Sequence, residues 1–482
     1  MGERRTNQAI NGEFELPKHI IQRIQSFLTG KKAAQTITLS KSWHSAWLTR
    51  PNLYFDETDF EISDEFSNTT NKTIQRYEQS NRQIESLTLY IKRQYSWTNR
   101  SDLASELIVR ALKIGATHLN LQLEDHDFAL PQEVFGSENL VGLTVRGGQI
   151  DLEMGQKVSC PRLESLSLSK LKIRSEMISK ITSNCPLIKK LSFSDIRGFE
   201  FPTVVPIDLS RLHELRCLVL CDVKFDVLCL ADLSCRFSSL EDLTLKRCPT
   251  VREVCSRSLK RLTFAQDDRS SVEFDVPSIR KVTFEVDKCI PSVCFKSTSS
   301  EYWESYVSIN YKNLLYTEWF LELNKLLTRL RGSKISISLR VHCTEGFDYK
   351  MADIEGLSKP EVEDLTVNID YIPSLTCSAL FDGLFRLCRP KFITQYLLPE
   401  SYYRWKTNNY FLFKTFFVEQ VNKKCWVSRH FMYGLHDLKE ASVQLFDEDV
   451  AVWRDLPLES YLDASKSPKE KQKIRFKLEW KQ

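Results

Sequence analysis

The chain has 482 residues, 42% hydrophobic and 27% charged with little Gly or Pro, which excludes a collagenous or broadly disordered protein and leaves room for a sizeable core. The net charge of +4 gives no general reason to expect a polyanionic partner, although residues 1–50 carry eight Lys/Arg against three Glu, a local +5. None of the fourteen cysteines falls in a C-x-x-C pair; Cys217/Cys221 and Cys289/Cys294 are among the closest couples, so scattered thiols in a reducing interior are expected.

Residues 1–12 are polar, with Arg4 and Arg5 and no apolar stretch behind them, and are expected to be a disordered N-terminus without a secretory signal. Between residues 13 and 50 the apolar spacing is helical. Ile20, Ile21, Ile24, Phe27 and Leu28 share one face of a first helix, which Thr29-Gly30 is expected to end, glycine suiting the left-handed residue that closes a helix. Lys31 to Ile37 can form a second short helix. Ser40 is the expected N-cap of a third, on which Trp43 and Trp47 point the same way before Pro51 stops it.

Beyond Pro51 a pattern L-x-x-L-x-L recurs. It reads at Ile84-Leu87-Leu89, Leu140-Leu143-Val145, Leu163-Leu166-Leu168, Ile188-Leu191-Phe193, Leu215-Leu218-Leu220, Leu240-Leu243-Leu245, Leu259-Leu262-Phe264 and Ile279-Val282-Phe284, with a partial copy at Leu119-Leu121. From Leu140 the starts step by 23, 25, 27, 25, 19 and 20 residues, which brackets the ~20 to 29 of a leucine-rich repeat. Each unit predicts a short strand and a return segment that buries its face only against neighbours, giving a curved parallel sheet over 51–446, less regular after about 289. In that later part Trp319, Phe320, Leu323, Leu326, Leu327 and Leu330 form a helical stripe before a strand at Ile335-Ile337-Leu339, and Val362-Leu365-Val367 and Leu438-Ala441-Val443 resume the repeat. The most apolar segment, Tyr410 to Val418, is broken by Lys414 and is about half of the ~20 residues a spanning helix needs. Residues 447–482 are expected to be a C-terminal tail or cap; Lys466 to Gln482, with seven Lys/Arg against two Glu, reads as a solvated tail or edge strand.

The run from Leu16-Pro17 to Leu28, then Ala33 to Trp43 with Trp47, resembles the F-box of plant F-box/leucine-rich-repeat proteins. Cys160-Pro161-Arg162-Leu163-Glu164, Cys185-Pro186-Leu187-Ile188 and Leu384 to Pro390 are similar to other segments of that family, and Lys18 departs from it, standing where the family usually has an acidic residue. The resemblance implies an α/β fold, a three-helix F-box module at 13–50 followed by the solenoid. It also implies a Skp-type adaptor as partner, bridging to a cullin scaffold, with the chain as substrate receptor of a ubiquitin ligase in cytoplasm or nucleus.

Physical reading of the module points the same way. Leu16, Ile20, Ile24, Phe27, Leu28, Leu39, Trp43 and Trp47 make more apolar surface than about forty residues can bury alone and so need a partner; with Pro17, Ile21 and Ser40 of the F-box-like run they are the adaptor-binding set that the resemblance implies. The competing reading is a helical cap on the first repeat. For the repeats, the outward strand residues Ser167, Ser192, Val219, Thr244, Thr263 and Thr283, with Lys246 and Glu285 beside them, make a shallow, weakly polar floor suited to an unidentified target protein. A non-degradative interaction scaffold is the alternative.

No P-loop, dinucleotide, zincin or nucleophile-elbow motif occurs, so a non-catalytic subunit without cofactor or metal is expected. Cys425, His430 and His436 lack a tight chelating pair, and His118 and His126 beside Glu124, Asp125 and Asp127 read as a loop. Neither basic end interleaves aromatics at a stacking spacing, which disfavours nucleic acid, and no membrane contact is expected.

Overall fold

The computed structural model describes residues 16–28, 30–92, 100–125, 127–151, 158–198, 209, 211–223, 237–249, 251–269, 271–299, 302–311, 316–342, 354, 356–370, 374–395, 435, 437–447, 449–457 and 474–481. The expected disordered start, residues 13–15, His126, the apolar run at 410–418 and the Cys425, His430 and His436 group lie outside the described residues. The chain divides into two compact units, Met1–Thr203 and Val204–Gln482.

The first unit opens with three short helices, α1 (Lys18–Ser26), α2 (Gly30–Gln35) and α3 (Lys41–Leu48). Ser40 caps α3 as its sequence position predicts: its φ is −167° and its Oγ accepts the Trp43 N–H at 3.4 Å. Gly30 departs from expectation, opening α2 instead of closing α1 in a left-handed turn. Packing explains it. A Cβ at Gly30 would lie 2.8 Å from Tyr54 Cδ1, so a side chain there would push α2 away from the first strand.

Six strands of the main sheet follow in this unit, Asn52–Asp56, Ser86–Ile91, His118–Leu123, Gly142–Arg146, Ser165–Ser169 and Lys190–Ser194, all parallel and in one register, while Gln149–Ile150 and Lys172–Ile173 pair separately. Leu53, Leu87, Leu119, Leu143, Leu166 and Leu191 therefore stack in one buried row, and Phe55, Leu89, Leu121, Val145, Leu168 and Phe193 in the next. Because side chains alternate along a strand, this row structure exposes every intervening residue on the opposite face. The Pro51 to Asp56 segment thus supplies the first strand, and the partial copy at Leu119-Leu121 is a full one.

The second unit repeats the arrangement with eight parallel strands, from Cys217–Cys221 through Asp242–Lys246, Arg261–Ala265, Lys281–Val286, Glu304–Tyr311, Lys334–His342 and Glu361–Asp370 to Arg389–Gln395. Leu220, Leu245, Phe264, Phe284, Val307, Ile337, Leu365 and Ile393 form its buried row. Repeat length selects the return segment. The steps of 25 or more residues leave room for a helix such as Ser175–Asn184, whereas the steps of 19 and 20 leave room only for short strands. Glu253–Cys255, Ser271–Asp275 and Ser292–Ser297 accordingly pair as a second parallel sheet. The stripe from Trp319 to Leu327 is buried on a helix, Thr317–Arg329, as expected.

The parallel ladder stops at Arg389–Gln395. Leu438–Asp447, expected to resume the repeat, runs antiparallel to Ile474–Trp480, which in turn pairs antiparallel with Arg389–Gln395. The expected tail or edge strand is therefore an inner strand, with Ile474, Phe476 and Leu478 buried. An alternating apolar pattern specifies a buried face and not a strand direction, which is why the two cases read alike.

Candidate functional site

Polar side chains join the buried Ile21, Ala33 and Ala46 in holding the three N-terminal helices together. Gln25, 3% exposed, donates through Nε2 to Thr36 Oγ1 at 2.9 Å and to the Trp43 carbonyl at 3.3 Å. Gln22 Nε2 donates to the Thr49 carbonyl at 2.9 Å. Residues three and four apart share a helix face, so Ile21, Gln22 and Gln25 turn inward and Leu16, Ile20, Ile24, Phe27 and Leu28 turn outward.

The outward set is bare. Phe27 is 73% exposed, Leu39 64%, Ile20 39% and Ile24 36%, with Leu16 and Leu28 similarly open. Pro17 and Ser40 are exposed at the starts of their helices, and Trp43 and Trp47 are half-buried. Ile21 corrects the expected set: at 1% exposure it belongs to the module's own core and cannot touch a partner. Its neighbour Ile20 is one position round the helix, a rotation of about 100° that reverses its environment.

A buried arginine, which the sequence gave no signal for, ties this module to the helix Ser63–Gln79. Arg50 is 8% exposed, lies 3.4 Å from the Trp47 ring centroid and donates through Nη1 to the Trp47 carbonyl at 2.8 Å. Its own carbonyl accepts the buried Tyr77 hydroxyl at 2.7 Å. Burial lowers the Arg50 pKa to about 10, so the guanidinium stays charged at neutral pH, and burial likewise raises that of Tyr77.

In the strands, Ser167 lies opposite Ser192 in the first unit, and Val219, Thr244, Thr263 and Thr283 lie side by side in the second, all half-exposed. Lys246 and Glu285 are not free for a ligand: Lys246 Nζ reaches Glu285 Oε2 at 2.7 Å, spanning the strand that carries Ala265 between them. Tyrosines were missed. Tyr54 and Tyr90 stand on the outward face of the first two strands, their hydroxyls donating to Asp56 at 3.0 Å and Glu124 at 2.5 Å. Burial raises the first phenol to about 12 and the Glu124 hydrogen bond raises the second to about 12. The period-2 reading at Leu87-Leu89 already sets Tyr90 outward, and extending it back to Leu53 would have placed Tyr54.

Cys248, at the position that closes a leucine-rich repeat, donates through Sγ to the Leu220 carbonyl of the preceding strand at 3.4 Å. Cys160 and Cys185 are both fully buried; the hydrogen bond shared with Cys185, and burial, hold the Cys160 thiol far above its ordinary range. Such a thiol is a packing group and a poor nucleophile. No group of three or more His, Cys, Asp or Glu able to hold a metal occurs among the described residues.

Residues 109–294 match the family model described as FBD-associated F-box protein At5g56370, LRR repeats. F-box/LRR-repeat protein At4g14103 of Arabidopsis thaliana is 29% identical over 209 residues, 41% of this chain and 54% of the relative. The putative F-box/LRR-repeat protein At5g41840 of the same plant is 29% identical over 38% of this chain and 36% of its own length, and F-box/LRR-repeat protein At3g58900 is 29% identical over 42% and 62%. The chain thus spans about a third to two thirds of the length of these relatives. A solved leucine-rich-repeat protein of Leptospira interrogans, LIC12759, aligns with 69% of this chain and 90% of its own at a TM-score of 0.32 and 13% identity.

Proposed function

We propose, for a chain whose matches bear out its resemblance to plant F-box/LRR-repeat proteins, that it is the substrate receptor of a Skp-cullin-F-box ubiquitin ligase. The helices at 13–50 are the F-box and dock the Skp-type adaptor, while the repeats capture a target protein. One observation carries this: Leu16, Ile20, Ile24, Phe27, Leu28 and Leu39 stay exposed around a module whose interior is already filled by Ile21, Ala33 and Ala46 and bridged by Gln22 and Gln25. The competing cap reading requires those same residues to be covered by the first repeat.

Covering five or six such side chains at ~1.5 to 3 kcal/mol each gives on the order of ten kcal/mol gross, enough to exceed a mid-range association cost. The chain itself performs no bond chemistry. It raises the effective concentration of target lysines near charged ubiquitin by holding ligase and target at once. Nine free cysteines among the described residues support a reducing cytosolic or nuclear setting.

The test is a pull-down of a Skp-type adaptor by the full chain and by Ile20→Asp/Ile24→Asp/Leu39→Asp, with circular dichroism on both. The wild type is expected to retain the adaptor and the folded triple variant to lose it. Equal recovery would overturn the docking assignment. Reconstituted ubiquitylation of a captured target separates a receptor from a scaffold, which binds without modification.

A further inference from the structure

The rim around the exposed apolar face carries charge of one sign. No Asp or Glu occurs between Glu15 and Asp56. Within that stretch Lys18, Arg23, Lys31, Lys32 and Lys41 are all exposed, with His19 and His44 beside them. Lys18, Lys31, Lys32 and Lys41 have no ion pair or hydrogen bond through their side chains among the described residues, and Arg23 lies 4.8 Å from the Phe27 ring centroid.

Four lysines of the repeats are arranged differently. Lys172, Lys189, Lys260 and Lys391 reach carboxylates on neighbouring elements at 3.2, 2.9, 2.8 and 3.3 Å. Those cations neutralise the chain's own acids. The rim lysines have none to neutralise, and with no acid between Glu15 and Asp56 to offset them their fields add.

We infer that the docking face selects a protein with an acidic rim around an apolar centre, and that the four rim lysines steer its approach. This rests on the docking reading above. A protein is favoured over an anionic membrane because the exposed residues come from two elements, the nine-residue α1 and the turn at Leu39, which form a shaped surface instead of one long amphipathic helix. Steering acts on the association rate and is screened by salt, whereas the apolar contacts set the dissociation rate and are not.

The experiment measures association and dissociation rates of the full chain with a Skp-type adaptor by surface plasmon resonance, at about 50 mM and about 500 mM NaCl. The association rate is expected to fall about tenfold or more with salt while the dissociation rate changes little. The variant K18E/K31E/K32E/K41E should associate about tenfold more slowly at low salt and lose most of its salt dependence; the Lys→Gln version of the same four should fall between, and K172E/K260E should match the wild type. Binding that persists with a salt-independent association rate overturns the steering inference and leaves adaptor docking intact. Absence of adaptor binding at every salt concentration removes the docking reading and the inference with it. Salt-sensitive binding to phosphatidylserine vesicles, with salt-insensitive binding to the adaptor, assigns the rim to a membrane and also overturns the inference.

Discussion

In the N-terminal helices the hydrogen-bonded Gln22 and Gln25 cross an interior that holds only Ile21, Ala33 and Ala46 as buried apolar residues among those described, and most of the large apolar residues face outward. In the repeat strands the interior is an unbroken row of Leu, Phe, Val and Ile, and the outward residues are small, polar or ion-paired. Burying a polar group costs unless it is bonded, so the glutamines specify one arrangement of three helices without consuming the apolar surface. The strands bury most of theirs, leaving residues such as Tyr54 and Val219 on the outward face. Stability and recognition are thus carried by different residues in the module and by opposite faces of the same strands in the repeats.

The sharpest test of this contrast is a cavity in a repeat row. Phe284→Ala, at a ring packed edge-on 6.3 Å from Phe264, is expected to destabilise by about 3 to 5 kcal/mol in urea unfolding. A change below about 1 kcal/mol would mean that the rows do not hold the second unit together. Next in size, Gln25→Ala leaves Thr36 and the Trp43 carbonyl short of a donor and should cost about 1 to 3 kcal/mol. Amide exchange should locate that loss in residues 18–48 and spare the strands.

A smaller effect is expected at the bidentate pair in which Arg110 donates to Glu78 at 2.8 and 2.7 Å, joining helices Ser63–Gln79 and Arg100–Lys113. The Arg110 hydrogen bond lowers the Glu78 pKa. A carboxyl depressed in the folded state contributes stability above its unfolded pKa and loses it as pH falls through the folded value. Glu78→Gln should therefore lower the thermal midpoint slightly at neutral pH, by the equivalent of about 0.5 kcal/mol, and leave no difference at strongly acidic pH. The smallest change is expected at Leu39→Asp. Stability should stay within about 0.5 kcal/mol of wild type because Leu39, 64% exposed, packs little against its own chain. A loss above 2 kcal/mol there would erase the distinction between the two regions.

Much of this was legible from residue order. The repeated L-x-x-L-x-L spacing located the strands, and Ser40, Trp43 and Pro51 bounded the third helix. Other features were not. Five residues that follow strands, Gly147, Lys170, Asp195, Asp222 and Arg247, are left-handed, with φ of 85°, 51°, 50°, 53° and 52°. Only Gly147 signals this in its identity, and there a Cβ would sit 1.7 Å from the Leu123 carbonyl oxygen. The turn lets Lys170 and Arg247 N–H groups reach the Ser194 and Ala265 carbonyls, one rung beyond the strands, and that gain is made between repeats where no local propensity records it.

Residue order alone determined which positions are apolar and at what period, and hence that short strands would stack with a helical piece in front. The folded chain decided direction and facing: that Leu438–Asp447 runs antiparallel, that Gly30 makes room for Tyr54, and that Ile21 is sealed while Ile20 is bare. A period fixes which residues lie together, but the side that turns to solvent is set by what packs against it. In this module that choice was made by two glutamines whose partners lie 11 to 27 residues away in sequence, and by the Arg50 carbonyl, which accepts the hydroxyl of Tyr77.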